Sequence, residues 1–301
     1  MFLLRWLKDP KQIILSLNHK GFFHFLSDRN HAKLIYYASF GKPLSLISPI
    51  TFNEKIQWLK LFDRNPLYTK LVDKYSVKDI VAGVIGEEYI IPTLGMWERF
   101  EDIEFQKLPE EFVLKTTHDG GGSGVVICRS KSHFDYNEAR KIIEKSLKRD
   151  VYKDLREWPY KDVPHRIIAE EYLRTPDGVT LEDYKIHCFN GVSKFILVCR
   201  DRYGTSGLTE DFFSIRWEHL ELKRPKHPNS SQKIPCPKEL PLMLELAEKL
   251  SEKIPFVRVD FYVYNGKVFF GELTFYPTSG FTRFVPDSYD TEIGSWLELP
   301  K

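Results

Sequence analysis

Phe256-Val-Arg-Val-Asp-Phe-Tyr-Val263 and Phe270-Gly-Glu-Leu-Thr274 are two strand-like runs joined across Asn265-Gly266. In the first run Val257, Val259, Phe261 and Val263 alternate with Arg258, Asp260 and Tyr262. Period two therefore puts Arg258 and Asp260 on one face of a strand and the apolar residues on the other. Whether Glu272 joins that face depends on the turn. A two-residue turn pairs Tyr264 with Lys267, sets Asp260 opposite Gly271 and sends Glu272 to the far face. A three-residue loop with Gly266 as a bulge pairs Val263 with Lys267 and sets Asp260 opposite Phe270. Glu272 is then one diagonal step away on the same face. We expect the bulged loop. Two carboxylates so placed could share Mg²⁺, which takes oxygen ligands and keeps phosphates as co-ligands. An Arg–Asp surface pair is the alternative, and it leaves Glu272 without a partner.

Working towards the N-terminus, Tyr184–Phe189 and Ser193–Val198 flank a second Asn-Gly turn, Asn190-Gly191, and form another hairpin. Asp183, Lys185, Arg200 and Arg202 put charges at even spacing on it, as a substrate grip or a solvated face. Arg166–Ala169 reads as a strand running into Glu170-Glu-Tyr-Leu173. There the backbone could offer a carbonyl and an amide to a base edge, or the strand could simply end. Further back, Phe112-Val-Leu-Lys115 and Val125-Val-Ile-Cys128 enclose Thr116-Thr-His-Asp-Gly-Gly-Gly-Ser-Gly124. Gly120, Gly121, Gly122 and Gly124 let backbone amides turn towards an anion, and Lys115 precedes them on the strand. A flexible hairpin tip would use the same glycines. The loop lacks the Gly-Lys-Ser/Thr end of a Walker A motif, and its lysine precedes the glycines, unlike the protein-kinase order.

Residues 1–110 read as mainly helical. Thr51-Phe-Asn-Glu54 is a capping box ahead of Lys55–Phe62. Pro66 can start a helix through Leu67, Leu71 and Val72. Asp73-Lys-Tyr-Ser76 opens the next helix, through Val77 and Val81. Tyr89-Ile-Ile91 reads as a short strand. Arg140, Ile143 and Leu147 mark a helix, as does Leu240–Ile254, and 203–235 reads as an irregular loop. The 301 residues suggest about two domains. With 44 Lys and Arg against 42 Asp and Glu, no strong field points to nucleic acid. The four cysteines, Cys128, Cys188, Cys199 and Cys236, form no Cys-x-x-Cys pair, so a structural zinc is not expected and a reducing cytoplasm is. No apolar run is long enough to span a membrane. Met1–Leu7 is too short for a secretory signal. Through Phe2, Leu3, Leu4 and Trp6 it could touch a membrane surface weakly, or form a helix packed on the body.

Lysine strand, glycine loop, Glu-Glu-Tyr-Leu hinge and Arg-x-Asp with a following Glu occur in an order that resembles the ATP-grasp superfamily. The closer resemblance is to the TupA-like ATP-grasp family of bacterial polysaccharide and teichuronopeptide biosynthesis. It rests on Phe52-Asn-Glu-Lys-Ile-Gln-Trp58, Asp73-Lys-Tyr-Ser-Val77, Phe112–Lys115, Asp183-Tyr-Lys185, Cys188-Phe-Asn-Gly191, Val257–Tyr262, Gly271-Glu-Leu-Thr-Phe275 and Ser279-Gly280. The resemblance implies an α+β fold with two subdomains holding ATP behind a helix-rich N-terminal region. We expect boundaries of 1–72, 73–165 and 166–301. It implies that Lys115, helped by Lys74, binds phosphates under Gly120–Gly124. Glu170 would accept from the adenine amino group, with the backbone of Glu171 and Leu173 on the ring edge. Asp260 and Glu272 would hold Mg²⁺ with Thr274 beside them, and Arg258 would stabilise the transferring phosphoryl group. Thr274 stands where the superfamily usually has Asn, which favours one metal over two. The implied reaction joins a carboxylate, such as a uronic acid or amino acid, to an amine through an acyl phosphate. Asp183, Lys185, Arg200, Arg202 and Arg283 are candidates for holding the substrate. A glycosyltransferase would be expected to carry Asp-x-Asp after a strand, and none occurs. A non-catalytic glycan-binding module would not need the paired carboxylates.

Overall fold

The computed structural model describes residues 10–120, 122–174, 181–201 and 207–301. The described N-terminal part is helical: α1 (Pro10–His19), α2 (Asp28–Phe40), α3 (Phe52–Phe62), α4 (Leu67–Val72) and α5 (Ser76–Ile85). The capping box forms at α3: the Glu54 amide donates to Thr51 Oγ1 at 3.3 Å, and the Thr51 amide donates to Glu54 Oε2 at 3.1 Å. Tyr89–Ile91 is not a strand. It ends a 3₁₀ turn, and the strand comes two residues later as β1 (Thr93–Trp97), after Pro92.

The first sheet joins β1, β2 (Phe112–Thr116), β3 (Val125–Cys128) and β4 (Ile167–Glu171) in the order β1-β4-β2-β3, all antiparallel. Alternation along β2 buries Phe112 and Leu114. They share a core with Ala139 and Ile143 of α6 (Tyr136–Leu147). Val113 and Lys115 are left on the opposite face. A short α7 (Val151–Leu155) follows. β4, which follows the boundary expected at 165/166, pairs inside this first sheet.

The second sheet has the order β7-β6-β5-β8-β9, built from β5 (Asp183–Phe189), β6 (Val192–Arg200), β7 (Thr209–Ser214), β8 (Phe256–Tyr264) and β9 (Lys267–Thr274). Two-residue turns with positive φ at Asn190, Gly191, Asn265 and Gly266 close both predicted hairpins. Val257, Val259 and Phe261 face a core shared with α8 (Leu240–Ser251), α3, α4 and α5. Of the expected N-terminal region, α3 and α4 thus pack into the C-terminal half. The segment 203–235 is not wholly irregular, since it contains β7. Glu210 and Asp211 of that strand are buried against Arg224, His219, Asn229 and Ser230. The chain ends with α9 (Ser288–Ser295).

Candidate active site

A cleft of about 960 Å³ lies between the sheets. On β8, period two turns Arg258, Asp260 and Tyr262 into it, as expected. The β8–β9 register differs from both sequence alternatives. The turn has two residues, Tyr264 pairs with Lys267, and the extra residue sits at Gly271, where the register shifts. A Cβ at Gly271 would lie 3.1 Å from the Asp260 carbonyl oxygen, so a glycine suits this bulge. Moving the bulge from the turn to Gly271 restores the phase. Glu272 opposes Asp260 directly rather than diagonally.

Arg258 ties this face together. Its Nε donates to Asp260 Oδ1 at 2.7 Å, and its Nη2 to Asp260 Oδ2, Glu272 Oε1 and Thr274 Oγ1 at 2.6, 3.0 and 2.9 Å. Lys185 bridges Asp183 Oδ2, at 2.6 Å, and Asp260. Burial pushes the Asp260 carboxyl up, against the pull of Arg258 and Lys185. Burial acts the same way on Glu272, but there Arg258, Lys74 and Lys185 prevail and hold it down at about 2. Asp260, Glu272 and Thr274 form an oxygen-only donor set, which suits a hard cation such as Mg²⁺. No group of three or more His, Cys, Asp or Glu that could hold a metal occurs among the described residues. A cation here would take part of its shell from phosphate or water.

The opposite wall is cationic. Lys115 reaches the Glu170 carboxylate, and Lys78 meets the other Glu170 oxygen at 2.5 Å. The register explains the first contact: Lys115 pairs with Ile168, which puts Glu170 diagonally across on the same face. Burial would raise the Glu170 carboxyl, but Lys115 and Lys78 hold it down at about 2. Both oxygens of Glu170, expected on the adenine amino group, are engaged by lysines in this structure. The Glu171 amide donates to the Pro92 carbonyl at 3.1 Å. Glu171 and Leu173 both line the cleft. Lys78 was missed by the sequence reading. It stands on the first turn of α5, four residues past Lys74, which lies in the turn before that helix. Lys74 donates to the Asp119 carbonyl oxygen.

Asp119 shapes the glycine loop. Its carboxylate accepts from the Gly120 amide (2.7 Å), Ser123 Oγ (2.6 Å), Ser146 Oγ (2.7 Å) and Arg149 Nη1 (2.7 Å). Gly120, Gly122 and Gly124 line the cleft. A Cβ at Gly124 would lie 2.2 Å from Thr116 Oγ1, and Gly122 has φ +80°. Gly121 lies outside the described residues, as does Arg202.

The turn after β9 is gripped from far away in sequence. Thr278, Ser279 and Gly280 all have positive φ, and Thr278, Ser279 and Phe281 line the cleft beyond Thr274. Three buried polar residues on one face of α3 hold this turn. Asn53 Nδ2 donates to the Thr282 carbonyl at 2.8 Å, and Asn53 Oδ1 accepts the Thr282 amide at 2.9 Å. Gln57 Nε2 donates to the Ser279 and Gly280 carbonyls at 2.8 and 3.0 Å, and Lys60 Nζ to Ser279 at 3.0 Å.

Two substrate candidates leave the site. Arg200 follows cleft-lining Cys199, so alternation turns it to the other face, where it meets Glu182 at 2.7 Å. Arg283 is exposed and donates to the Ser39 carbonyl. Asp183 and Lys185 remain in the cleft.

The two-sheet cleft, with its lysine wall opposite paired carboxylates, is the ATP-grasp arrangement. The family described as TupA-like ATPgrasp matches residues 54–298, and the chain belongs to it. No curated protein matches the chain. Among solved structures it is similar to D-alanine–D-alanine ligase from Bacillus anthracis complexed with ATP, at 16% identity and TM-score 0.38, covering 68% of this chain and 53% of that one. It is also similar to L-amino acid ligase from Bacillus licheniformis, at 15% identity and TM-score 0.45, covering 76% and 49%. A third is the ATP-grasp ligase PsnB complexed with minimal precursor, Mg and ADP, at 10% identity and TM-score 0.38, covering 74% and 57%. The chain thus spans between about half and three fifths of these proteins' lengths.

Proposed function

We propose that the chain is an ATP- and Mg²⁺-dependent carboxylate–amine ligase. The supporting observation is that Asp260 and Glu272 oppose each other beneath Arg258, across the cleft from Lys74, Lys78 and Lys115. In this reading the lysines hold the phosphates, and Gly120, Gly122 and Gly124 close over them. The Glu171 carbonyl and the Leu173 amide take the adenine edge. Asp260 and Glu272, with Thr274 beside them, hold Mg²⁺, which when bound offsets phosphate charge. A substrate carboxylate oxygen attacks the γ-phosphorus and ADP leaves. An amine nitrogen then attacks the acyl carbon, phosphate leaves, and the amine gives up a proton. Arg258 meets the charge on the transferring phosphoryl oxygens, a role suited to an always-charged fork.

The family match favours a substrate in cell-surface polysaccharide biosynthesis, with a uronic acid or an amino acid as the carboxylate and an amino acid as the amine. Dependence on ATP favours the cytoplasm. The membrane contact expected of Phe2, Leu3, Leu4 and Trp6 concerns residues outside those described and rests on sequence alone.

The test is a thermal-shift titration with ATP–Mg²⁺ on the wild type, Lys115→Ala and Glu272→Gln. A ligand at about 100 times its Kd adds about 2.7 kcal/mol. The expected result is a clear wild-type shift that shrinks in both variants. A shift with a nucleotide sugar and none with ATP would replace the ligase by a glycosyltransferase.

A further inference from the structure

Residues 1–50 carry seven Lys and Arg against two Asp, a net charge of +5, while the rest of the chain sums to −3. The turn between α1 and α2 lies in this segment. Phe22 and Phe25 on it are 60% and 77% exposed. Single exposed apolar side chains are ordinary, but two phenyl rings on one six-residue turn call for an explanation. Their exposure does not come from a loosely held turn. Arg156 Nη2 donates to the His24 carbonyl at 2.6 Å, and the Asp28 carboxylate accepts from Arg64, Tyr152 and Arg156 at 2.8, 3.0 and 3.3 Å. The body therefore holds the turn with its rings outward. Those contacts also occupy Asp28, the one acid among described residues 10–50. The exposed ionic groups on the turn and the adjoining α2 are then Lys20, Arg29 and Lys33, all basic. The same two helices contribute Leu15, Asn18, His19, Ile35 and Ser39 to the lining of the cleft.

We propose that the Gly21–Leu26 turn docks on an anionic lipid bilayer. Phe22 and Phe25 enter the interface, while Lys20, Arg29 and Lys33 meet the headgroups. Aromatic rings supply apolar burial and lysines supply headgroup attraction, and neither alone gives firm binding. Docked in this way, the two helices that flank the turn and line part of the cleft are held near the membrane. The docking itself does not depend on the ligase reading.

The experiment is cosedimentation of the full chain with phosphatidylcholine vesicles and with mixed phosphatidylcholine–phosphatidylglycerol vesicles, at low and high salt. The wild type should bind the mixed vesicles at low salt and release them at high salt. The double variant Phe22→Ser/Phe25→Ser should bind at least about tenfold more weakly. Circular dichroism melting of the variant, unchanged from wild type, shows that it folds. Three results overturn the proposal. One is no binding to the mixed vesicles. Another is binding that survives the double variant. The third is a wild-type dimer that the double variant converts to a monomer, which would make a second copy the occupant.

Discussion

The glycine loop and the Thr278–Gly280 turn line the same cleft but are held in different ways. Asp119 holds the loop from within, with partners no more than 30 residues away. The turn is held by Asn53, Gln57 and Lys60, from 219 to 229 residues away. A locally held loop can open without the rest of the fold. A turn bolted to a core helix cannot, because α3 shares its core with the second sheet. In the proposed reading, nucleotide closure falls to the locally held wall and the substrate end to the turn held by α3.

The largest expected effect comes from Asp119→Ala. It strips Arg149, Ser123, Ser146 and the Gly120 amide of their shared acceptor. Breaking a buried ion pair from one side costs roughly 3–5 kcal/mol. Arg149 keeps its 3.0 Å contact with Asp154, so the lower figure is expected. Hydrogen exchange should speed up in residues 116–125 and little elsewhere, with ATP–Mg²⁺ affinity falling at least about tenfold. A uniform increase across both sheets would erase the contrast between the two walls.

Gln57→Leu tests the fixed wall. It leaves the Ser279 and Gly280 carbonyls short of a buried donor, for about 1–3 kcal/mol. Because Lys60 still donates to Ser279, a value near 1–2 kcal/mol is expected. The loss should appear as a lower cooperative melting temperature, with the ATP–Mg²⁺ shift retained. Local opening of residues 277–282 alone would show that the turn is not coupled to the core.

Acid should loosen the glycine-loop wall and, separately, the packing of α2. Burial, the stacked His165 ring and Lys74 hold His118 down at about 4. Burial, Lys60 and Arg156 do the same for His31. A folded-state pKa below the ordinary 6.5 means that the unfolded chain binds the proton first. The stability these rings contribute is therefore present above about 6.5 and lost as pH falls towards 4. His118→Gln should flatten the stability–pH curve in that window, measured by urea melts at stepped pH. An unchanged slope would mean that His118 already titrates as a free imidazole.

Local rules made much of this fold legible. The Thr51–Glu54 box, the places of both Asn-Gly turns and the alternation along β8 need only neighbours in sequence, although the three-residue loop expected at Asn265-Gly266 is a two-residue turn. β7 was not legible, because Glu210 and Asp211 read as solvent-facing until the partners that bury them, Arg224, His219 and Asn229, are brought back by the chain. The grip of α3 on residues 279–282 was also out of reach, since no local pattern pairs Gln57 with a carbonyl 222 residues away. The position of the β8–β9 bulge depended on Gly271, whose packing against Asp260 is a cross-strand fact.

The smallest expected effect concerns the two arginines that turn away from the cleft. Arg200 meets Glu182, with both side chains roughly a quarter exposed, and such pairs contribute about 0–1 kcal/mol. Arg283 caps the Ser39 carbonyl from an exposed position. Arg200→Gln and Arg283→Gln should each leave ATP–Mg²⁺ affinity unchanged and move the melting temperature by no more than a degree or two, about 0.5 kcal/mol. Lys185→Gln carries the same loss of charge but differs in place: it leaves Asp260 and Asp183 with fewer counter-charges inside the cleft. A substrate effect from Arg200→Gln as large as that from Lys185→Gln would mean that the ligand reaches around the edge of the second sheet. The cleft face defined by Cys199, Asp183 and Tyr262 would then be only part of the site.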